Sequence, residues 1–381
     1  MEQASLPKRS TLRNNNNPKT TNSKKKHKKR KRGFIRFFTQ LVWTVLVLGA
    51  LVAGWLFLTT SGNNFRFLVA DTLITTQHRY LAKYIIGQAE LDKRVVEYNA
   101  RFEEMGNEKD THKIQRPVQS VAEEKKPLVE IEEISGTGYR GYVMIVNDPT
   151  KIRLGIPKSK GKGETVSNMV SRTGAIAGVN GGGFDDPNWK GNGFKPIGVV
   201  ISQGKLYYNG LGKNRSTQIV GIDKTGNMIA GHYSLNELKD MGVQEAVTFQ
   251  PRIIVNGKGL IKNSKEGWGI APRTAMGQRE DGAIIFVVID GRQPTYSTGA
   301  NLYDVQQIML KHGAVIAANL DGGSSTVLVK DNQIVNKPSS QYGERYLPTA
   351  FLVFEHPEQV NIPNVWAGLN ASDIDGGKKK K

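Results

Sequence analysis

The sequence has no cysteine among its 381 residues and only six histidines. The lack of cysteine excludes disulfide bonds, zinc–thiolate sites and a cysteine nucleophile. Because the histidines form neither an HExxH motif nor a cluster, a histidine-based zinc site and a Ser-His-Asp triad are not expected. The glycines at 181–183 are not followed by the Lys-Ser/Thr of a P-loop, and the serines at 324 and 325 lack a GxSxG context. ATP binding and a serine nucleophile are therefore not indicated.

Positive charge is abundant, but it is confined to the two ends of the chain. Thirteen Lys and Arg residues and one acidic residue precede residue 37, and four lysines end the chain at 378–381. Of the net charge of +19, only about +3 therefore belongs to residues 37–377. The basic run at 24–32 is of a kind that binds nucleic acid. Because it directly precedes a long apolar segment, we expect a membrane-proximal tail and no nucleic-acid partner.

That apolar segment, residues 37–60, contains no charged side chain. At about 1.5 Å per residue, it is long enough to cross a hydrocarbon core of about 30 Å. Its length and its bulky exit, Trp55-Leu56-Phe57-Leu58, favour an uncleaved signal anchor over a cleaved signal peptide. The basic residues before it place the N-terminus in the cytoplasm. We expect a single-pass cell-membrane protein whose larger part is extracellular.

The chain after the anchor divides into a helical part and a globular part. Helical periodicity continues to about residue 105, and a charged, proline-containing stretch follows it. We interpret these residues as a stalk and linker that either stands off the membrane or packs on the globular domain. The expected divisions are a basic cytoplasmic tail (1–36), a signal anchor (37–60), a helical stalk and linker (61–127), a globular domain (128–356) and a polar tail without a core (357–381).

Two apolar runs flank a helical pattern near the end of the globular part. Residues 284–289 and 314–318 read as buried strands, and residues 301–312 carry apolar side chains at helical spacing. This order predicts a parallel βαβ unit, which would bring Asp290 and Asp321, each following a strand, to the same edge of a sheet. Asp321 is followed by two glycines and three hydroxyl residues, which suits either a catalytic carboxylate or a tight turn capped by its own aspartate.

Other apolar runs extend the sheet. Together the patterns predict an α/β (mixed α+β) domain with a large mixed sheet containing βαβ units, preceded by a single transmembrane helix and a helical stalk. A helix is predicted at 166–172, and further strands are predicted at 175–179, 196–202, 218–222, 252–255 and 350–354.

Five sequence blocks, in order along the chain, resemble the phosphodiester glycosidase family, and the resemblance extends over roughly residues 130–355. Its members include the animal "uncovering enzyme", which removes N-acetylglucosamine from a phosphodiester, and bacterial exopolysaccharide-related proteins. One departure is Ser324, where the family often has a third glycine after the acid. The blocks are GETVS (163–167), GVNGGGFD (178–185), PRTAMG (272–277), VIDGR (288–292) and NLDGGSSTVLV (319–329).

The resemblance implies a glycosidase that hydrolyses sugar-1-phosphodiesters in cell-envelope glycopolymers or exopolysaccharide. Such an enzyme needs a carboxylate as nucleophile or general base, for which Asp321 is the first candidate and Asp290 the second. Arg273 is the first candidate for a catalytic phosphate ligand, and a salt bridge to either aspartate is its alternative role. A rival function is that of a non-catalytic binder of phosphorylated envelope polysaccharide, held by Arg273 and the glycine turns.

The remaining candidates bind substrate. Backbone N–H and hydroxyl groups in the glycine turn suit phosphate, whereas the asparagines suit sugar hydroxyls or an acetamido group, or else cap turns. No cofactor is expected and no metal ligand is assigned, although a divalent cation held by Asp290 and Asp321 stays open. The predicted substrate-binding residues are Asn180, Thr274, Asn319, Gly322, Gly323, Ser324 and Ser325. Residues considered for the sugar side are Asp185, Asp186, Trp189 and Trp268, with ordinary packing as the alternative for each tryptophan.

Overall fold

The computed structural model of the chain describes residues 22–76, 78–115, 126–187, 191–211, 215–341 and 343–377. Predictions that concern the first 21 residues, residues 116–125 of the linker, Trp189 and the terminal lysines therefore lie outside the described residues. The chain divides into two compact units, one ending at Phe65 and the other starting at Arg66.

The first unit contains the apolar helix predicted from the sequence. Its stretch Gly33–Leu58 has 26 residues and a mean hydropathy of 2.4, with none of its most apolar window buried against protein. Among the residues that the structure describes, it is the one helix that is long and apolar enough to cross a membrane.

The described residues form seven α-helices and seventeen strands. The helices are α1 (Asn22–Leu58), α2 (Thr60–Ile74), α3 (Lys83–Ile86), α4 (Gln88–Asn107), α5 (Val166–Thr173), α6 (Leu235–Asp240) and α7 (Leu302–Lys311). The strands are β1 (Val129–Gly136), β2 (Tyr139–Val146), β3 (Ile152–Gly155), β4 (Ala177–Asn180), β5 (Val199–Ser202), β6 (Lys205–Asn209), β7 (Ser216–Asp223), β8 (Met228–Ser234), β9 (Val243–Thr248), β10 (Arg252–Val255), β11 (Lys258–Gly259), β12 (Arg273–Arg279), β13 (Ile284–Ile289), β14 (Ala314–Asn319), β15 (Leu328–Lys330), β16 (Gln333–Ile334) and β17 (Ala350–Val353).

These strands form three sheets. The first has the order β1-β2-β13-β12-β14-β10-β11, the second β16-β15-β4-β17-β3, and the third β6-β5-β9-β7-β8. Every strand pairing in the described residues is antiparallel. The mixed α+β class predicted from the sequence is confirmed, but the expected mixed sheet is wrong, since its neighbouring strands all run antiparallel.

The predicted βαβ unit is present in a split form. Strand β12 lies between β13 and β14 and is antiparallel to both, so β13 and β14 run parallel to each other without being neighbours. Helix α7 connects them, and its N-cap Asn301 accepts a hydrogen bond from the N–H of Asp304 in a capping box. The two strand ends therefore point the same way, as predicted, although an additional strand separates them.

The three sheets face a common apolar core. Its members include Met144, Phe286 and Ile316 from the first sheet, with counterparts such as Phe351 and Val247 from the other two. Each outer face is then covered by a helix: α7 with α4 on the first sheet, α5 on the second and α6 on the third. Because both faces of the central strands are buried, their sequences are apolar throughout rather than alternating.

Helix α4, which the sequence assigns to the stalk, packs on the globular part. Phe102 and Met105 are each 2% exposed and belong to the core under the first sheet. The buried guanidinium of Arg252 donates to the carbonyls of Met105 (3.1 Å) and Glu108 (2.6 Å) at the end of α4 and to that of Ala230 (2.9 Å). An arginine that satisfies the last carbonyls of a helix fixes the position of that end. Of the two interpretations of residues 61–127, packing on the domain thus describes α4.

The C-terminal segment differs from the polar tail without a core that the sequence predicts. Trp366 is 2% exposed and donates its indole N–H to the carbonyl of Phe194 at 2.9 Å. Ile362, Val365 and Ile374 join it in the common core. The few apolar residues of this segment can be buried because the polar, glycine-rich chain between them follows the surface. Their spacing has neither helical nor strand periodicity, so the sequence pattern does not predict their burial.

Replacing Arg252 by Met is expected to lower the free energy of unfolding by about 3 kcal/mol, because three carbonyls, those of Met105 and Ala230 in buried hydrogen bonds, lose a charged donor. Urea unfolding of the detergent-solubilised full chain, followed by tryptophan fluorescence, measures the change. The control Arg215→Met alters an exposed arginine. Equal stabilities of the two variants would contradict the anchoring of α4 by Arg252.

Candidate active site

A cavity of about 550 Å³ is lined by residues near strand ends of the three sheets and by residues of the segment that precedes the globular domain. Its volume is in the range of small-ligand sites. Asp321 and the turn that follows it form one wall, while Thr248, Gln250 and Gln218 from the third sheet and its flanks form a neutral polar wall. A third wall comes from the segment Thr75–Phe102, which precedes the globular domain predicted from the sequence.

The backbone of Asp321 is held at both of its polar groups. Its N–H donates to the carbonyl of Gly181 (3.2 Å), and its own carbonyl accepts from the side-chain amide of Asn180 (2.5 Å). The preceding Leu320 is fully buried and donates its N–H to the carbonyl of Thr274. The loop therefore joins the end of β14 to β4 in the second sheet and β12 in the first.

The two glycines after Asp321 are needed for the turn. Gly323 has a φ of 62°, in the left-handed region, and a Cβ there would stand 3.1 Å from a guanidinium nitrogen of Arg292. A Cβ on Gly322 would stand 2.9 Å from the carbonyl of Pro272, to which the N–H of Gly323 donates. The glycines thus allow the turn to press against β12 and to leave space for Arg292.

The environment of Asp321 raises its pKa to about 6. Burial is the main cause, and the negative charge of Asp186 adds to it. A hydrogen bond from Ser325, the charge of Arg345 and the N–H of Gly322 act in the opposite direction. The carboxylate is therefore mostly ionised at neutral pH, yet basic enough to accept a proton or attack an electrophilic carbon.

Two arginines interact electrostatically with this carboxylate. Arg292 lines the cavity, and its lowered pKa reflects burial first, with Asp321 and Arg345 as its charged neighbours. Arg345 donates to Asp186 in an ion pair of 2.8 Å and to the hydroxyl of Ser324 at 3.4 Å. Guanidinium groups beside a glycine turn that carries two serine hydroxyls form a suitable site for a phosphate group.

Arg273 also lines the cavity, but most of its donors are occupied. It donates to the carbonyls of Ala300, Trp268 and Gly269 at 2.9–3.1 Å rather than to either aspartate. Burial lowers its pKa to about 10, so it stays charged at neutral pH. Asn319 lies nearby with its side-chain oxygen buried at the cavity and without a hydrogen-bond partner among the described residues.

Two of the predicted substrate-binding residues lie behind the cavity wall. The side-chain oxygen of Asn180 accepts from the hydroxyl of Thr274 (2.8 Å) and from the N–H of Val327 (3.1 Å), while its amide donates to Asp321. Both side chains are fully buried. Their hydrogen bonds are thus spent on positioning the loop of Asp321.

Asp290 lies at the same sheet edge but does not line the cavity. Its carboxylate accepts from the amide of Asn336 (2.8 Å), the N–H of Lys337 (2.9 Å) and the hydroxyl of Tyr296 (3.2 Å). Burial nevertheless raises its pKa above the usual range. These bonds fasten the loop after β16 to the end of β13, and the carboxylate faces this loop instead of Asp321.

The residues considered for the sugar side separate in space. Asp186 lines the cavity, whereas Asp185 pairs with Lys195 at 3.6 Å in an adjacent depression. Trp268 packs edge-on against Tyr98 and Phe102. Within the described ranges, no group of three His, Cys, Asp or Glu side chains is placed to hold a metal ion.

Sequence reasoning placed Asp321, Arg273, Asn319 and the 322–325 turn in the site but missed Arg292 and Arg345. Arg292 ends the VIDGR block directly after a buried strand, and that position was a usable signal. Arg345 lies in a loop that crosses the second sheet and has no periodic or motif context. Its approach to Asp186 depends on the tertiary fold alone.

Comparison with known proteins shows which family this part of the chain resembles. Residues 173–354 match the family model described as phosphodiester glycosidase. YomE, an uncharacterised SPbeta prophage-derived protein of Bacillus subtilis, is 28% identical over 206 residues, which are 50% of this chain and 29% of that protein. N-acetylglucosamine-1-phosphodiester alpha-N-acetylglucosaminidase of Bos taurus is 26% identical over 192 residues, which are 46% of this chain and 35% of that enzyme.

The fold has a solved counterpart. The catalytic domain of the zebrafish N-acetylglucosamine-1-phosphodiester alpha-N-acetylglucosaminidase, auto-inhibited by its pro-peptide, superposes with a TM-score of 0.50 at 23% identity, covering 64% of this chain and 88% of that one. The chain spans about a third of the length of the two curated relatives described above. Residues 173–354, which include the cavity residue Asp321, are therefore similar to the domains of the phosphodiester glycosidase family.

Proposed function

We propose that the protein is a hydrolase that cleaves the glycosidic bond of sugar-1-phosphodiesters. The observation that carries the proposal is a cavity in a phosphodiester glycosidase domain where Asp321, with a pKa of about 6, adjoins Arg292, Arg345 and a glycine–serine turn. The Bos taurus relative is by name an N-acetylglucosamine-1-phosphodiester glycosidase, so N-acetylglucosamine is the first sugar to test.

The chemistry follows from where the charges lie. In the transition state the anomeric carbon becomes positive while the departing phosphate gains negative charge. The Asp321 carboxylate stabilises the carbon, either as a nucleophile or as the base that activates water. Arg292, Arg345 and the turn at 322–325 stabilise the phosphate, which leaves as a monoester without needing a strong general acid. The neutral polar wall formed by Thr248, Gln250 and Gln218 suits sugar hydroxyls.

We further propose that the stretch Gly33–Leu58 is a signal anchor and that the hydrolase domain lies outside the cell membrane. The apolar length of the helix and the basic residues that precede it support this arrangement. Phosphodiester-linked envelope glycopolymers or exopolysaccharide are then the substrates within reach. An accessible cysteine introduced at Lys126 should react with a membrane-impermeant maleimide on intact cells; labelling only after lysis would contradict the topology.

The reaction class can be tested with methyl N-acetylglucosamine-1-phosphate in water enriched in oxygen-18. Cleavage at the anomeric carbon is expected to place the heavy oxygen in the free sugar and to release unlabelled methyl phosphate. Mass spectrometry of the products from the detergent-solubilised full chain distinguishes the two bonds. Heavy oxygen in the phosphate, or sugar-1-phosphate as product, would mean P–O cleavage and would contradict the proposal.

Asp321→Asn is expected to lower kcat by about 10²–10⁴-fold, because the amide can neither attack nor accept a proton. Binding of the substrate, measured by calorimetry, should persist. Asp290→Asn is the matched control: its retained oxygen can still accept from Asn336 and Lys337, so kcat should stay within several-fold. If the unsubstituted chain hydrolyses the substrate and Asp321→Asn does so at the same rate, Asp321 is not the catalytic carboxylate. If neither the unsubstituted chain nor Asp321→Asn hydrolyses the substrate while both bind it equally, the function of a binder is favoured.

The acid limb of kcat/KM is expected to have its midpoint near pH 6, because Asp321 must be ionised and its pKa is about 6. Asp186→Asn removes the negative neighbour that raises this pKa, so the midpoint should move to lower pH. The control Asp185→Asn removes a carboxylate outside the cavity and should leave it unchanged. A rate that rises as the pH falls through 6 would instead make Asp321 a general acid.

A further inference from the structure

One wall of the cavity comes from the segment between the apolar helix Gly33–Leu58 and the globular domain. Its lining residues are Thr75, Thr76, Arg79, Tyr98, Asn99 and Phe102. The segment is fixed in place near these residues, since Gln218 donates to the carbonyl of Phe102 at 2.6 Å and Arg252 holds the end of α4. It is therefore a built wall of the cavity and not only a spacer.

Arg79 brings a positive charge to this wall. Its Nε donates to the carbonyl of Ile74 at 3.0 Å, which holds the side chain close to α2. In the part of the chain that the structure describes, its two terminal nitrogens have no hydrogen-bond or ion-pair partner. Four N–H groups of this guanidinium are thus available to a ligand in the cavity.

Tyr98 connects this arginine to the interior of the site. Tyr98 lines the cavity, where its ring lies 4.1 Å from that of Phe102 and packs edge-on against Trp268. Burial raises the pKa of Tyr98 to about 12, while the charges of Arg273 and Arg79 act in the opposite direction. The hydroxyl is therefore protonated at neutral pH and can donate a hydrogen bond.

Arg79, Arg273 and Arg292 all line the cavity. Arg273 donates to the carbonyl of Trp268, whose indole packs against Tyr98. The Cα of Arg273 lies 3.8 Å from the place where a Cβ on Gly322 would stand, so Arg273 adjoins both Tyr98 and the turn after Asp321. The cavity contains four arginines and two aspartates, and one aspartate is already paired with Arg345. One phosphate beside Asp321 would bind to Arg292 and Arg345 and would leave the positive charges of Arg273 and Arg79 without a counter-charge.

We infer that Arg79, Tyr98 and Arg273 form a second anion subsite, which binds a phosphate group carried by the leaving group of the substrate. The inference rests on the proposed function for the identity of the substrate but not for the existence of the subsite. Because Arg273 adjoins the glycine turn at Gly322, which is proposed to bind the departing phosphate, the second anion lies on the side of that phosphate rather than on the sugar. The preferred substrate class is then a sugar-1-phosphodiester whose alcohol bears a further phosphate, as in a phosphate-containing polymer.

The test compares two substrates that differ by one phosphate, N-acetylglucosamine-1-phosphoglycerol and the same compound phosphorylated on the far glycerol hydroxyl. The full chain in detergent is expected to show a kcat/KM about tenfold or more higher for the phosphorylated compound at low salt. Arg79→Met should abolish this preference while leaving the unphosphorylated substrate within about twofold. Tyr98→Phe, which retains the ring packing, should reduce the preference several-fold.

Lys93→Met is the matched control, because it removes one positive charge from α4 at a side chain that is 65% exposed and outside the cavity. It should keep the preference intact. An equal decrease of kcat/KM for both substrates in Arg79→Met would overturn the inference, since the arginine would then have a structural role only. Higher rates for both substrates would also overturn it, because the segment would then obstruct the cavity.

A binding measurement separates this inference from the proposed function. In the Asp321→Asn background, calorimetry should show tighter binding of the phosphorylated compound, and Arg79→Met should remove the difference. If this result is obtained while the unsubstituted chain hydrolyses neither compound, the subsite stands and the glycosidase function fails. Equal affinities for the two compounds in the presence of Arg79 would overturn the subsite whatever the turnover.

Discussion

The backbone of Asp321 is held from two sides, and the site depends on this constraint. The end of β4 supplies both partners, the carbonyl of Gly181 and the amide of Asn180, although β14, which leads to Asp321, belongs to another sheet. A carboxylate on a free loop would lose orientation, whereas this one is fixed by buried hydrogen bonds that are costly to break. Two sheets must therefore pack correctly before the acid is in place.

The same arrangement explains the electrostatics. Because the loop is pressed between sheet ends, Asp321 loses water, which raises its pKa, while Arg345 and Ser325 keep the ionised form accessible. Preorganised charges of this kind cost no rearrangement during the reaction. Asp290 provides the contrast. It has a similar sequence context, but its hydrogen bonds to Asn336 and Lys337 give it a structural role in joining the first and second sheets.

The helices before the globular domain contribute residues to the site. Arg252, itself buried, binds the last carbonyls of α4, and this contact holds the wall that contains Tyr98. The amphipathic pattern of α4 is thus accounted for by burial of Phe102 and Met105 against the first sheet. A segment that looks like a stalk in sequence contributes to the shape and charge of the cavity.

The sequence by itself determined the apolar helix, the mixed α+β class, seven of the seventeen strands in the described residues and the placement of Asp321 and Asp290 at one sheet edge. These features follow from local periodicity and from strand direction. Only the tertiary structure decided which aspartate faces the cavity, that Asn180 and Thr274 position the loop, and that Arg292, Arg345 and Tyr98 line the same cavity. These outcomes depend on contacts between residues far apart in the chain, such as Arg345 with Asp186. Local patterns carry no information about such pairs, since burial and hydrogen bonding select them only when the sheets pack.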